Sequence, residues 1–341
     1  MKSETKNQRI VLASRPVGVP VAANFRLEEV AITEPAEGEV LVKVHYLSLD
    51  PYMRRRMDDR ASYAPPVALG AVMVGGTVGE VLESRHAEFK AGDFVEGMGG
   101  WQSHAILKGE GLRKINPADA PISTALGILG MPGMTAYTGL LTIGKPQAGE
   151  TLVVAAASGA VGAAVGQIAK LKGCRVVGIA GGPAKTRYLT EELGFDAAID
   201  HHADDLPQAL AAACPKGIDI YFENVGGKIF KTVLPLLNPF ARMPVCGLIS
   251  HANETSLPEG PDGVPDLFRA VLTKKLTIRG FIVHDFADQA PAFRKDMQDW
   301  IRQEKIRYRE DIVEGLAQAP DAFIGLLQGR NFGKLLVHIA A

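Results

Sequence analysis

Cysteine and long apolar runs are scarce in this 341-residue sequence. The three cysteines, Cys174, Cys214 and Cys246, lie far apart and form no CxxC pair. They can build neither a disulfide framework nor a four-cysteine zinc cluster, and buried thiols in a reducing compartment are the simpler interpretation. No run approaches the roughly 20 apolar residues of a membrane-spanning helix. Residues 1–9 are polar with no apolar segment behind them, unlike a secretion signal. We therefore predict a cytoplasmic protein with no membrane contact.

An excess of either charge is also missing. The 37 Lys and Arg residues nearly balance the 38 Asp and Glu residues, which gives a formal net charge of −1. No electrostatic field draws such a chain to nucleic acid or anionic lipid, so a small-molecule partner is favoured. Hydrophobic residues make up 47% and charged residues 22%, which is the balance of a globular protein, and the length predicts two domains.

Two sequence patterns divide the chain. The first third contains short strands, such as residues 40–44 and 76–82, bounded by glycine and proline turns, which is typical of a β-rich domain. From about Ser123 onward, apolar strands alternate with segments of helical period. That alternation predicts an α/β fold of the Rossmann type, a doubly wound parallel sheet covered by helices. The predicted strands of this region are residues 152–157, 175–180, 197–199, 218–223, 242–246 and 276–283.

The pattern changes again after Asp288. Phe293, Met297 and Trp300 recur on one face of a predicted helix, with Asp288 as its expected cap. The terminal strand, residues 334–339, is expected to return to the N-terminal domain. The predicted domains are residues 1–124 with 290–341, which form a discontinuous β-rich domain, and residues 125–289, which form the dinucleotide-binding domain inserted in it.

A glycine turn is the most informative local motif. A predicted strand over residues 151–156 runs into the turn, and a helix rich in alanine and glycine follows it to Gly173. Strand, turn, helix and second strand occur in the order that dinucleotide binding requires. Gly159 lets the backbone approach a pyrophosphate at the positive helix N-terminus, and Gly162 lets the helix pack closely on the sheet. Close packing without a ligand is the alternative. The predicted cofactor-binding residues here are Ala157, Gly159, Ala160, Val161 and Gly162.

The end of the second strand predicts which dinucleotide binds. NAD enzymes usually place an acidic residue there, which bonds to the ribose 2′-hydroxyl. This chain has Gly181 and Gly182 instead, followed by Lys185 and Arg187. A lysine attracts a 2′-phosphate and the glycines leave room for it, so the sequence predicts NADPH as the cofactor.

Longer motifs carry a family resemblance along nearly the whole chain. They lie at residues 11–16 (VLASRP), 47–54 (LSLDPYMR), 130–137 (GMPGMTAY), 223–227 (ENVGG) and 331–334 (NFGK). With these motifs the chain resembles zinc-independent medium-chain dehydrogenases/reductases of the leukotriene B4 12-hydroxydehydrogenase, prostaglandin reductase and alkenal double-bond reductase branch. Within that branch it resembles the bacterial NADPH-dependent curcumin reductases in particular. The resemblance implies a GroES-like catalytic domain around the Rossmann domain.

The resemblance also implies cofactor contacts at matching positions. Nicotinamide contacts fall on Met131, Thr135 and Asn224, with Val225 and Gly226 lining the pocket. Further expected contacts are Phe281 and Val283 on the neighbouring strand, Asn331 and Gly333 near the cofactor phosphates, and Gly182 and Lys185 at the 2′-phosphate. Relatives often add a tyrosine to this phosphate site. The chain has His201 and His202 there, which leaves the contact open, and His201 is retained as the candidate.

Zinc ligands are missing where zinc-dependent relatives carry them. Those relatives need a cysteine near Leu49 and Asp50, a His-Glu pair within residues 75–79, and a cluster of four cysteines, none of which is present. The adjacent pair His201–His202 is better explained as a polar loop than as a metal site. We therefore predict no metal.

Without a metal, hydride transfer suits an acceptor that is already activated. The β-carbon of an α,β-unsaturated ketone or aldehyde fits, because negative charge then moves to the carbonyl oxygen, which a protein donor can stabilise. Tyr52 and Tyr63 are the candidate donors, each weighed against an ordinary interfacial tyrosine. We predict NADPH-dependent reduction of such enones and alkenals.

The expected proton donor departs from the family pattern. Relatives commonly carry a Ser-x-Tyr-Asn sequence, whereas this chain has Ser250, His251, Ala252 and Asn253. Either Ala252 leaves protonation to water or to the nicotinamide ribose, which we prefer, or His251 reaches in from the next position.

Alternatives of other classes stay open. A quinone oxidoreductase of related fold and a non-catalytic dinucleotide-binding protein are both compatible with the cofactor motif. We also expect a homodimer, because a strand over residues 276–283 would end the sheet and present Ile278, Phe281 and Val283 on an unpaired edge.

Overall fold

The chain folds into two compact units. The structure is a computed structural model that describes residues 6–256 and 262–339. Unit 1 comprises Met1–Gly127 and Glu310–Ala341, and unit 2 comprises Ile128–Arg309. The expected boundaries, after residues 124 and 289, differ from these. The larger difference arises because the helix Ala290–Arg302 packs within unit 2, where Tyr137 contacts Phe293 and bonds to Asp296.

Strands and helices of the described residues are numbered in chain order. The strands are β1 (Lys6–Leu12), β2 (Phe25–Ala31), β3 (Glu39–Ser48), β4 (Thr77–Ser84), β5 (Phe94–Gly97), β6 (His104–Lys108), β7 (Arg113–Ile115), β8 (Thr151–Ala155), β9 (Arg175–Ala180), β10 (Ala197–Asp200), β11 (Ile218–Phe222), β12 (Leu237–Val245), β13 (Thr277–Gly280), β14 (Glu310–Glu314) and β15 (Lys334–His338). The α-helices are α1 (Tyr52–Arg56), α2 (Met131–Thr138), α3 (Ala160–Leu171), α4 (Pro183–Arg187), α5 (Leu206–Ala213), α6 (Gly227–Val233), α7 (Val264–Lys274), α8 (Ala290–Arg302) and α9 (Ala319–Leu327). None of the described helices is long and apolar enough to cross a membrane.

Unit 1 is β-rich, as predicted. Its larger sheet has the order β14-β15-β3-β4-β5-β7, with β6 also pairing with β3, and β1 and β2 form a separate antiparallel pair. Strand β15 lies antiparallel to β3, so the C-terminal strand returns to the N-terminal sheet as the sequence predicted. The core of this unit includes Trp101, stacked on Phe25 at 5.5 Å and edge-on to Phe323. Apolar burial from both ends of the chain therefore holds this unit together.

Unit 2 is built on a parallel sheet of six strands. The order is β10-β9-β8-β11-β12-β13, and every adjacent pair is parallel. Counted within the unit this is the order 3-2-1-4-5-6 of the dinucleotide-binding fold, which reverses between β8 and β11. Ligands of such sheets bind beyond the carboxyl ends of the strands at that reversal. The predicted Rossmann-type fold is confirmed.

The last strand of unit 2 differs from its prediction. Strand β13 ends at Gly280, and Val283 begins a 3-10 segment, Val283–Gln289, rather than lying on the strand. Phe281 turns inward and packs against Phe222 and Phe286. The alternation of apolar residues was wrong as a guide here, because a buried aromatic cluster offers Phe281 more contact than a strand edge does. The residue that caps α8 is Gln289, not Asp288.

Candidate functional site

The glycine turn of unit 2 joins β8 to α3. Gly159 is the N-cap of α3, so the capping residue supplies no side-chain hydrogen bond to the first-turn amides. A side chain on Gly162 would collide with the carbonyl oxygen of Ala156, which explains the need for glycine there. The uncapped amides at a helix N-terminus form an anion site, so this turn fits the pyrophosphate of a dinucleotide.

The two alanines that open the turn differ in role. Ala156 holds the left-handed conformation with φ 50°, whereas the sequence placed Ala157 at the first small position of the motif. Ala157 is fully buried, and its side chain packs toward Gly178 on β9. Its contribution is packing and backbone position. Ala160 and Val161, which follow Gly159, are partly exposed at the start of α3.

A second turn, at the carboxyl end of β11, meets the glycine turn. The Asn224 side chain donates a hydrogen bond from Nδ2 to the carbonyl oxygen of Ala155 at 2.8 Å, which ties the ends of β11 and β8 together. Gly226, with φ 77°, is the N-cap of α6. The sheet order reverses between these two strands, so Asn224 and Gly226 lie where a bound nicotinamide is expected.

Glu223 shapes this turn and was missed by the sequence reasoning. It is only 2% exposed, and its Oε1 accepts hydrogen bonds from the N–H groups of Val225 at 2.6 Å and Gly226 at 2.8 Å. Burial raises the pKa of Glu223, and these hydrogen bonds act against that rise. The sequence signal that could have identified Glu223 is an acidic residue at the end of a buried strand, directly before Asn-Val-Gly-Gly.

His251 lies against the same turn. A Cβ placed on Gly226 would lie 2.9 Å from the Nε2 atom of the His251 ring. The other ring nitrogen, Nδ1, is 2.8 Å from a carboxylate oxygen of Glu254. Ala252, at the family's tyrosine position, is buried. Within unit 2, therefore, His251 rather than residue 252 reaches the turn that carries Asn224.

Helix α2 carries the two other predicted nicotinamide contacts. The Thr135 hydroxyl donates to the backbone carbonyl of Met131, one helical turn earlier, at 2.8 Å. Thr135 is buried and Met131 is partly exposed. Phe281 packs on Phe222 and lies against Gly139. A side chain at position 139 would collide with the Phe281 ring. Phe281 is thus a wall of the unit 2 core, and Val283 lies beyond it in the 3-10 segment.

The predicted 2′-phosphate residues come together at the carboxyl ends of β9 and β10. Gly182 has φ 83°, and no atom lies within 4 Å of the place where its Cβ would be. Lys185 follows on the first turn of α4 and is partly exposed. Asp200 and His201 lie at the end of β10, where the N–H of His201 bonds to the carbonyl of Ala180 at 3.0 Å. Open space beside a lysine fits a phosphate.

In unit 1, Tyr52 and Tyr63 are near neighbours of unequal burial. Tyr52 begins α1 and packs partly buried against the core, whereas Tyr63 is 61% exposed. Burial first, and the charge of Asp50 second, raise the pKa of Tyr52 well above its ordinary value. Tyr52 therefore keeps its proton at all physiological pH values and can act as a hydrogen-bond donor.

The C-terminal motif of unit 1 forms a tight turn. Asn331 donates from Nδ2 to the carbonyl of Gly333 at 2.9 Å, and Gly333 has φ 89°. The next residue, Lys334, places its ammonium 2.7 Å from the Asp50 carboxylate and 2.9 Å from the carbonyl of Leu49. Asp50 also accepts from the Ser48 hydroxyl.

That buried ion pair includes Asp50, near which the resemblance leads us to expect the cysteine ligand of zinc-dependent relatives. Asp50 is 6% exposed and Lys334 is 4% exposed, so the carboxylate is committed to an internal cation. Among residues 6–256 and 262–339, no three His, Cys, Asp or Glu side chains are grouped so that they could hold a metal ion. The metal-free reaction stays a prediction that depends on the missing ligand types.

Comparison with known proteins adds to this geometry. Two families match, one described as the N-terminal domain of oxidoreductase over residues 8–115 and one described as zinc-binding dehydrogenase over residues 160–301. The chain is 57% identical over 340 residues to an NADPH-dependent curcumin reductase of Escherichia coli K12, covering 99% of each chain. It is 42% identical over 346 residues to a 2-alkenal reductase (NADP(+)-dependent) of Nicotiana tabacum, covering 100% of this chain and 99% of the relative. A crystal structure of CurA from Vibrio vulnificus in complex with NADPH superposes with a TM-score of 0.95 at 56% identity, covering 98% of this chain and 99% of that one.

Proposed function

Because the chain belongs to the medium-chain dehydrogenase/reductase family, in the branch of the curcumin, alkenal and prostaglandin reductases, we propose that it reduces the C=C bond of α,β-unsaturated ketones and aldehydes with NADPH. The observation that carries this proposal is the joined pair of turns at the sheet reversal, where Asn224 bonds to Ala155 beside the uncapped helix α3. That geometry fits a dinucleotide, and the relatives are named as an NADPH-dependent curcumin reductase and an NADP-dependent 2-alkenal reductase.

Three parts of the cofactor have proposed matching groups in unit 2. The first-turn amides of α3 bind the pyrophosphate, and Lys185 beside Gly182 binds the 2′-phosphate. Asn224 and Thr135 are the residues that orient the nicotinamide. When bound, NADPH supplies the hydride that adds to the β-carbon of the enone.

Tyr52 is the residue we assign to the substrate. Its hydroxyl donates a hydrogen bond to the carbonyl oxygen, on which negative charge develops as the β-carbon is reduced. The enolate that results takes a proton at the α-carbon, either from water or from His251, which Glu254 holds through Nδ1. The balance is one hydride and one proton added across the double bond.

A cofactor and substrate panel tests this function together with its NADPH site. The wild-type protein should oxidise NADPH with curcumin or a linear alkenone and should use NADH poorly. Lys185→Ala should raise KM for NADPH about 10- to 100-fold, because a charge-assisted hydrogen bond to phosphate contributes roughly 1.5–3 kcal/mol. KM for NADH should stay within about twofold. A spectrophotometric assay of NADPH or NADH oxidation measures the turnover rate, the KM for NADPH and the KM for NADH.

The same panel separates the rival functions. Arg187→Ala is the matched control on the same helix, since Arg187 is exposed and outside the predicted contacts. Equal losses for NADPH and NADH in Lys185→Ala would contradict the phosphate assignment. Faster turnover of a small quinone than of any enone would support the quinone oxidoreductase alternative instead.

We also propose a homodimer formed through one edge of unit 2. Strand β13 is one of the two edge strands of the six-stranded sheet, and all four of its residues are exposed. The neighbouring helix α7 exposes Val264, Phe268 and Leu272 by 52%, 66% and 78%. These side chains recur every four residues and so lie on one helix face, and exposed apolar groups of this size mark interaction surfaces. A second copy of the chain that pairs with β13 and covers the apolar face of α7 would extend the sheet across the interface.

Light scattering at micromolar concentration tests the dimer. The wild-type protein should have twice the monomer mass, and Phe268→Glu with Leu272→Glu should give monomers, because two buried charges on each side oppose association. Thr273→Glu, exposed on the same helix but off that face, is the control and should stay dimeric. A monomeric wild-type protein would contradict the proposal.

A cytoplasmic location completes the proposal. It is supported by the three cysteines, Cys174, Cys214 and Cys246, all of which are free thiols.

A further inference from the structure

Two adjacent histidines with tilted rings border the proposed 2′-phosphate position. The rings of His201 and His202 have centroids 4.0 Å apart and planes inclined by 45°. Both rings converge on Gly181 at the end of β9. A Cβ placed on Gly181 would lie 2.9 Å from Nε2 of His201 and 2.8 Å from Nε2 of His202. Two imidazole nitrogens therefore cover the residue that directly precedes Gly182.

The charged groups around this pair come from two elements. Lys185 faces it from α4, and Asp200 faces it from the end of β10. The Asp200 carboxylate is already engaged, because it accepts the backbone N–H of His202 at 3.0 Å and also that of Gly182, and both bonds lower its pKa. Asp200 thus holds the backbone at Gly182 and His202 in place. Because its carboxylate accepts these two hydrogen bonds, it stabilises a positive charge on the histidine rings less strongly.

Protonation of His201 is unfavourable before an anion binds. Burial lowers the pKa of His201 first, the neighbouring His202 and Lys185 lower it further, and Asp200 opposes them. The rings of His201 and His202 thus lie 4.0 Å apart, and the positive charge of Lys185 opposes a second positive charge on His201. A bound anion would change this balance.

We propose that His201, whose ring packs against that of His202, takes up a proton when the 2′-phosphate of NADPH binds, so that preference for NADPH over NADH increases as pH falls. The inference rests on the proposed NADPH-dependent function and adds to it a pH-dependent selection of the cofactor. It concerns the two histidines that stand where relatives often have a tyrosine.

The sign of the effect follows from linkage. A phosphate monoester carries about −1.5 to −2 charges near neutral pH and favours the protonated form of an adjacent imidazole. A group whose pKa is higher in the complex than in the free protein strengthens binding below that pKa, and the gain is lost as pH rises through it. NADH lacks the 2′-phosphate, so its affinity for the protein should not change with pH. Below about pH 6 the phosphate itself becomes protonated, which sets the lower limit of the window.

Isothermal titration calorimetry tests the proton uptake directly. The intact protein is titrated with NADPH and with NADH at neutral pH in two buffers of different ionisation enthalpy. We expect NADPH to bind with a net uptake of about half a proton or more and NADH with none. Fluorescence titration should show the Kd for NADPH rising about three- to tenfold between about pH 6.5 and 8.5, since one pKa unit corresponds to a factor of ten.

Glutamine variants identify the groups responsible. His201→Gln and His202→Gln keep a polar N–H near the position of Nε2 but cannot titrate. The double variant should bind NADPH without proton uptake and with a pH-independent Kd. The thermal unfolding midpoint of the double variant should equal that of the wild type, which shows that the fold is intact.

Two outcomes would overturn the inference. One is equal proton uptake for NADPH and NADH in the wild type, and the other is uptake that persists in the double variant. In both cases the cofactor assignment would stand. Failure of the wild-type protein to bind NADPH at all would instead overturn the proposed function together with this inference.

Discussion

Replacement of Lys334 by methionine is expected to destabilise unit 1 by about 3–5 kcal/mol, because it leaves a buried carboxylate without its counter-charge. The Lys334 ammonium and the Asp50 carboxylate are 2.7 Å apart, with side chains only 5% and 9% exposed. The ammonium also donates to the carbonyl of Leu49. Loss of the cation therefore leaves two buried acceptors with fewer donors in a medium where water cannot replace them.

Urea unfolding followed by tryptophan fluorescence measures this loss. Trp101 is fully buried in the core of unit 1, and a Trp300→Phe background removes the signal of the other unit. The double variant Lys334→Met with Asp50→Asn should recover much of the stability, because no unpaired charge then remains buried. A loss below about 1 kcal/mol in Lys334→Met would show that the carboxylate becomes protonated or hydrated at little cost.

Replacement of Tyr52 by phenylalanine is expected to lower kcat for enone reduction about 10²- to 10³-fold. Removal of one donor to a developing oxyanion typically has an effect of this size. Tyr52 is suited to the role because burial and Asp50 raise its pKa and keep its hydroxyl protonated. The Kd for NADPH should not change, since the hydroxyl acts on the substrate. Steady-state kinetics with a linear alkenone and fluorescence titration of NADPH provide the two measurements.

Tyr46→Phe is the matched control for Tyr52→Phe. Tyr46 lies on β3 of the same unit and packs against His338 at 4.9 Å, so loss of its hydroxyl should leave kcat within about twofold. Tyr63→Phe tests the second candidate donor, Tyr63, which is 61% exposed. A kcat for Tyr52→Phe close to wild type, with a large loss in Tyr63→Phe, would move the donor role to Tyr63.

The sequence was sufficient for features encoded in one continuous segment. Strand β8, Gly159, Gly162 and helix α3 follow each other within a few residues, and each has a steric or electrostatic reason visible in the sequence. Lys185 after the second strand follows the same logic, since two glycines stand in place of the acidic residue and leave room for a 2′-phosphate, which the lysine attracts. Alternation of strands and helices likewise predicted the parallel sheet, because side-chain periodicity is a local property.

Other features depended on contacts between distant segments. The bond from Asn224 to Ala155, the approach of His251 to Gly226 and the ion pair of Lys334 with Asp50 each join residues far apart in sequence. No local pattern specifies such pairs, since they follow from the sheet order and from which strand lies beside which.

By itself, then, the sequence determined the glycine turn, the type of cofactor and the family resemblance. Only the tertiary structure decided that helix α8 packs in unit 2, that Phe281 turns into the core, and that Glu223 and His251 both contact Gly226. The physical reason is that an apolar helix face or an aromatic ring is satisfied by any buried surface of suitable shape. Which surface it meets depends on the packing of the whole unit.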